Sequence, residues 1–275
     1  MTVPVSHSRR PPEGAGQAYS TAVAALEEIL AELDRLLDPD AFADHCPNGL
    51  QVQGRTEVRR VVTGVSANVE LFERAVAHDA DLVICHHGLF WDGDDPRVIG
   101  RLRRRLGILL ANEVSLAAYH LPLDGHPRIG NNALIAAGLG CVESEPFAVH
   151  RGRAIGCRGR FPDDGITPDE LVSRVAELTG RAPLAFTGGP DRVRTIGIVS
   201  GAASGHLDEA VADGLDAFLT GEPVERVMAQ AVESGIHFLA AGHYATETFG
   251  VRALGGHLVE RFGVDHVFVD VPNPI

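Results

Sequence analysis

The chain has 275 residues, 45% of them hydrophobic and 22% charged, which excludes wholesale disorder and fits a soluble globular protein of one large or two modest domains. Lys and Arg number 24 against 37 Asp and Glu, a formal net charge of −13, which argues against nucleic acid as a partner. No run reaches the roughly 18 apolar residues of a membrane span, and the N-terminal segment lacks the apolar stretch of a secretory signal, so the expected location is cytoplasmic. The 13 histidines outnumber the 4 cysteines, and Cys46, Cys85, Cys141 and Cys157 form no CxxC pair. A thiolate zinc knuckle or redox pair is thereby disfavoured, and clustered histidine ligands are the pattern to look for.

Residues 1–17, polar and rich in Pro and Gly, read as a tail. Ser20 is placed to cap a helix over 21–37, where Val23, Leu26, Ile29, Leu30, Leu33 and Leu37 recur at helical spacing. The following HCPNGLQVQG reads as a polar turn. A strand at 61–66, a helix at 69–77 and a strand at 81–85 make a βαβ unit with parallel strands. Helical sequence at 97–106 and apolar runs at 108–110 and 115–119 continue the alternation, followed by a helix at 130–139. Hairpin strands are expected within 145–161, then a helix at 168–179 with Thr167 and Glu170 forming a capping box. Strands at 194–199, 217–220 and 236–241 alternate with helices at 207–213, 223–233 and 249–262, and a last strand falls at 266–271. The class is α/β. The expected organisation is a tail at 1–17, a first α/β lobe at 18–127, a second at 128–240, and a C-terminal segment at 241–275 that returns to the cleft.

Two pairs of segments suggest an internal duplication. VRRVVTGVSANVELFERAVAHDADLVICHH at 58–87 parallels VRTIGIVSGAASGHLDEAVADGLDAFLTGE at 193–222. With a one-residue slip, Leu71 matches Leu207, Glu73 matches Glu209, and His86 falls opposite Glu222. LAAYHLPLD at 116–124 parallels LAAGHYATE at 239–247, setting His120 opposite His243 and Asp124 opposite Glu247. Each half thus presents an apolar strand and then His-x-x-x-carboxylate beyond its end, where α/β sheets carry their sites. Such halves would face each other about a pseudo-twofold axis.

His86 and His87 follow the apolar LVIC. Neighbouring side chains in a regular strand point to opposite faces, so both rings reach one site only if the backbone turns at the strand's end. Phe90 and Trp91 read as packing that shields such a site. His243 and Glu247 share a face if a helix starts there, whereas Pro122 weakens the same expectation for His120 and Asp124. Imidazole and carboxylate suit Zn²⁺, Mn²⁺ or Fe²⁺. His86, His87, Asp124, His243 and Glu247 therefore form a mixed N/O set for two divalent metal ions, with His120 beside it as a proton carrier. Asn48 is a hydrogen-bond group within reach of a site, Asn131 and Asn132 read as caps of the following helix, Cys85 as a buried thiol, and Gly201–Gly205 as a tight turn or anion nest.

In order along the chain, NGLQV at 48–52, ICHHGLFW at 84–91, HLPLD at 120–124, GNNALIAAGLG at 130–140 and GHYATE at 242–247 resemble the dinuclear metal-binding family of GTP cyclohydrolase 1 type 2 homologues. The resemblance spans roughly 20–272. It implies two similar facing α/β lobes with an interlobe dimetal cleft, a ring-shaped homohexamer, and the same five ligands. It also implies that the extra domain of longer members is missing from the short 141–192 interval. TGE at 220–222 resembles a TG-acid segment near the cleft, while Arg226 stands where the family often has histidine.

The leading expectation is a metal-dependent hydrolase of a small molecule, with GTP cyclohydrolase-type attack of water at the purine C8 and loss of formate as its sharpest form. The alternatives are a nucleotide or phosphoester hydrolase and a nonenzymatic metal-binding adaptor or regulator. An α/β frame alone selects none of them.

Overall fold

Residues 22–275 are described by the computed structural model; the expected tail at 1–17 and the Ser20 cap lie outside the described residues. Ala24–Ala25 (β1) precedes the helix Leu26–Leu37 (α1), so the helix expected from residue 21 starts later. The reason is a competing partner: β1 pairs antiparallel with Glu57–Val58 (β3), and the Leu26 amide donates to the Thr56 carbonyl. Between them Gly49–Val52 (β2) is a strand, not the expected turn. It pairs antiparallel with a later strand and buries Val52, an edge role that its polar sequence hides.

The expected βαβ unit is present as Arg60–Ser66 (β4), Val69–Ala77 (α2) and Leu82–His87 (β5). Asn68 caps α2 by accepting from the Leu71 amide, satisfying one of its free N–H groups. Gly100–Ala111 (α3) absorbs the apolar run at 108–110, Ser115–Ala118 (β6) follows, and Leu121–Asp124 (α4) makes one helical turn. Pro122 is tolerated there because the first turn of a helix needs no intrahelical N–H donor. The chain continues through Asn131–Leu139 (α5), the hairpin Glu143–His150 (β7) and Arg153–Arg160 (β8), and Pro168–Thr179 (α6), whose Thr167 cap accepts from the Glu170 amide. Leu184–Thr187 (β9), a strand outside the sequence expectations, leads to Thr195–Val199 (β10), Leu207–Ala212 (α7) and Ala217–Thr220 (β11). Val227–Ser234 (α8) begins four residues later than expected, and is followed by His237–Ala240 (β12), His243–Thr246 (α9), Thr248–Phe262 (α10) and Asp265–Phe268 (β13).

The strands form a five-stranded sheet in the order β13-β4-β5-β6-β2 and a six-stranded sheet in the order β7-β8-β10-β11-β12-β9. β4, β5 and β6 run parallel, as do β10, β11 and β12, and an antiparallel strand closes each trio, β2 beside β6 and β9 beside β12. β13 lies parallel to β4, so the chain's last strand joins the first sheet.

Period-two alternation explains the layers. Val61, Val65, Leu82 and Ile84 pack against α1 and α10, while Val62, Val83 and Cys85 pack against α2 and α3. In the second sheet Ile196, Ile198, Ala217 and Leu219 meet α5 and α6, and Val199, Phe218 and Phe238 meet α7 and α8. Both sheets are therefore covered on two faces, which is why their parallel strands read as nearly continuous apolar runs.

Candidate metal centre

Side chains from the C-terminal ends of strands in both sheets meet in one cleft. β5 ends in His86 and His87, while β6 is followed by His120 and Asp124. β11 leads to Glu222, and β12 to His243 and Glu247. His87, His120, Asp124, His243 and Glu247 line a cavity of about 390 Å³, with His86 fully buried.

Strict alternation would send the His86 and His87 rings apart, yet their centroids lie 4.7 Å from each other. Each is held from behind. His86 Nδ1 donates to the Tyr119 carbonyl at 3.0 Å, and His87 Nδ1 pairs with Ser66 Oγ at 3.1 Å. Both Nε2 atoms are thereby turned toward carboxylates. His86 Nε2 stands 3.5 Å from Asp124 Oδ2 and 3.5 Å from Glu247 Oε1, and His87 Nε2 stands 3.2 Å from Glu247 Oε2. His243 adds its Nε2 at 3.1 Å from Glu247 Oε1, while its Nδ1 is tightly bound to Glu222. The four-residue spacing of His243 and Glu247 thus brings them together.

Glu247 is 2% exposed and carries three histidine Nε2 atoms around one carboxylate. Even so, Glu247 Oε2 and His86 Nε2 have no hydrogen-bond partner. Buried polar atoms that face each other without an aligned hydrogen bond are costly unless another group satisfies them. Neutral imidazole lone pairs and carboxylate oxygens are ligands for a divalent cation, so this donor set fits one.

His86, His87 and His120 bring ligating atoms within 4.8 Å of one another, and so do His87, His243 and Glu247, two clusters that share His87. Asp44, Cys46 and His120 make a third such group. Asp124 lies outside these triads and reaches them through His86. Its Oδ1 accepts from Asn131 Nδ2 at 2.8 Å and Ser200 Oγ at 2.9 Å, leaving Oδ2 toward the cleft.

A family model for Duf34/NIF3 (NGG1p interacting factor 3) matches residues 24–274, a span that takes in every residue of this cluster. The chain belongs to this family. The GTP cyclohydrolase 1 type 2 homolog of Pseudomonas aeruginosa is 46% identical over 250 residues, which cover 91% of this chain and 98% of the relative. The solved structure of protein ybgI matches with a TM-score of 0.86 at 40% identity, covering 92% of this chain and 100% of that one. A protein from Thermus thermophilus matches at 0.84, with 40% identity and the same coverage.

In this Duf34/NIF3 chain, burial alone would depress the His86 imidazolium, but the Asp124 and Glu247 carboxylates outweigh it and hold its pKa well above the ordinary value. Burial likewise opposes, and Glu247 and Glu222 reverse, the shift of His243, which rises to about 9. His87 goes the other way, because burial outweighs its single carboxylate contact. Burial disfavours the charged Glu247 too, yet the surrounding histidines keep it well below the carboxylate range. Carboxylates that favour positive charge on buried imidazoles also favour a bound cation in the same place.

The main partner missed in sequence is Asp44. It accepts from His120 Nδ1 at 2.7 Å through Oδ1, and from the Leu121 amide and Asn48 Nδ2 through Oδ2. Asn48 Oδ1 in turn accepts from the His120 amide, so Asn48 does reach the site. His45, His150 and Ser200, also without an assigned role, line the cavity. Asn131 and Asn132 do not cap α5, whose N-cap position is Gly130. Their amides instead tie Asp124, the Gly250 amide, the Ile155 carbonyl and the Ser200 amide together, because tertiary partners are available where a local cap was expected. Trp91 does pack on the cluster, 5.1 Å edge-on from His120, and Cys85 is fully buried with its thiol pKa raised by desolvation. Gly201 is a backbone hub, its carbonyl accepting from Thr220 Oγ1 and the Gly221 and Glu222 amides, while Arg226 is exposed at the start of α8.

Proposed function

We propose that this Duf34/NIF3 protein is a dinuclear metal-dependent hydrolase of a small molecule. The observation that carries the reading is Glu247, a buried carboxylate ringed by three imidazole Nε2 atoms with one oxygen left without a hydrogen bond. His86, His87, Asp124, His243 and Glu247 would hold two divalent ions, Zn²⁺, Mn²⁺ or Fe²⁺. When bound, such a pair supplies an acidified water and an electrophilic clamp for the substrate's developing negative charge. His120, oriented by Asp44, carries the proton to or from the reacting group, and Trp91 covers the cluster beside it. GTP cyclohydrolase-type activity is the first chemistry to test, since relatives carry that designation. The matched strand trios support an internal duplication of facing lobes. A cytoplasmic homohexamer completes the proposal; no helix among the described residues is long and apolar enough to cross a membrane.

Elemental analysis of protein purified without added metal tests the reading, with two divalent ions per chain expected. Asp124→Ala and Glu247→Ala should lose metal and hydrolysis of GTP, other nucleotides or phosphoesters, while fold and oligomer persist. Metal-free protein after gentle purification overturns the dimetal centre. Metal retained without turnover across that panel favours an adaptor role.

A further inference from the structure

Residues 96–112 contain five arginines and no Asp or Glu, in a chain whose net charge is −13. Two of the five are paired locally, Arg97 with Asp95 at 2.6 Å and Arg104 with Glu73 at 3.0 Å. Arg101 and Arg105 are different. They stand one turn apart on α3 and line a cavity of about 650 Å³. Among the described residues neither guanidinium has a hydrogen-bonded or ion-paired partner, and Arg105 Nε is buried and unsatisfied. Burial and the neighbouring Arg101 charge both act against the Arg105 cation, offset in part by Asp94. A guanidinium held in that state carries a cost that Asp94 meets only in part and that an anionic ligand would lower further.

Phe90 and Trp91 also line this cavity, as do Asp94 and the Arg97-paired Asp95. Trp91 also lines the cavity of the histidine cluster, with its ring 5.7 Å from His87. Trp91 is thus common to the cavity of the two arginines and that of the ligating residues. Two guanidinium forks suit a tetrahedral dianion, which presents several oxygens at once, better than a monoanion with two.

We infer that Arg101 and Arg105 form a phosphate subsite, which anchors a phosphorylated small molecule whose remainder reaches past Trp91 to the histidine cluster. The destination of that remainder rests on the function proposed above; the binding of phosphate by the arginines does not.

Trp91 is the single tryptophan of the chain, so its fluorescence, alongside calorimetry, reports occupancy. The full-length protein as purified is titrated with GMP, inorganic phosphate, guanosine and acetate, and its metal content is measured in parallel. GMP and phosphate should bind, with guanosine and acetate weaker by roughly tenfold or more. The double variant R101Q/R105Q should weaken GMP by at least about tenfold with metal content and oligomeric mass unchanged. Glu247→Ala, depleted of metal, should still bind phosphate in an arginine-dependent way, which keeps a failure of the metal reading distinct from a failure of this one. Equal GMP affinity in wild type and R101Q/R105Q overturns the subsite, as does guanosine binding as tightly as GMP. Phosphate binding that vanishes in Glu247→Ala but survives in R101Q/R105Q assigns the anion to the cluster instead. A change of oligomeric mass in R101Q/R105Q assigns the arginines to a contact between copies.

Discussion

On the first sheet's side of the cluster each imidazole is fixed from behind, His86 by a backbone carbonyl, His87 by Ser66 and His120 by Asp44. On the second sheet's side His243 is backed by Glu222, whose side chain is 34% exposed, and the His243 ring is itself 26% exposed. The turns there are glycines: a Cβ on Gly201 would stand 2.4 Å from Glu247 Oε1, and one on Gly221 2.6 Å from His243 Cα. Rigid orientation therefore comes mainly from the first sheet, through a hydrogen bond that is buried at His86 and backing bonds at His87 and His120 that are less exposed than the one at His243. Close backbone approach and solvent access come from the second, through missing side chains. A buried hydrogen bond to an imidazole is worth more than an exposed one because water does not compete for it.

That contrast can be broken by measurement. Glu247 joins both sides, so Glu247→Ala should have the largest effect, a loss of metal affinity of roughly 100-fold or more, read by competition with a chelator. The backing groups come next. Asp44→Asn should weaken metal binding or turnover by about 10- to 100-fold, whereas Glu222→Gln, its more exposed counterpart, should cost only about threefold. Equal losses would show that the two sides are fixed alike. Gly201→Ala tests the glycine turn, where φ is +65°. It should destabilise by about 1 kcal/mol from backbone strain, with a melting temperature about 2–4 °C lower and reduced metal content. Metal content unaltered in that variant would remove the close-approach explanation.

A last comparison sets the site against a histidine outside it. His266 on β13 pairs with Thr63 Oγ1 at 2.8 Å, and burial, with the nearby Arg252, lowers its pKa to about 4. Where the site histidines His86 and His243 sit beside carboxylates, this one sits beside a cation. Its folded state favours the neutral ring, so its contribution is fully present above the unfolded value of about 6.5 and is lost as pH falls toward 4. Allowing for partial exposure, the loss is on the order of 1–2 kcal/mol. Melting curves of wild type and His266→Gln between pH 7 and 4 should converge on acidification by that amount, and parallel curves would refute it.

Much of this is legible in the sequence. The apolar runs of 61–66 and 81–85, the capping box at Thr167, and the His-x-x-x-carboxylate pairs after apolar strands all depend on neighbours a few residues apart. Residues 48–52 read as a turn because an edge strand with one buried apolar side chain resembles one. Asn131 and Asn132 read as caps because local capping is the default for asparagine until a tertiary partner outcompetes it.

The sequence by itself determined the α/β class, the elements whose faces repeat every two or three to four residues, and which residues are chemically able to bind metal. Only the tertiary structure decided that His86 and His87, adjacent in a strand, turn their Nε2 atoms to the same carboxylate. It alone brought Asp44 to His120 across 76 residues of chain, and β13 back to β4. Periodicity records which side of an element is buried, a local property. Which distant groups then meet depends on the packing of the sheets and their loops, and no pattern along the chain encodes that distance.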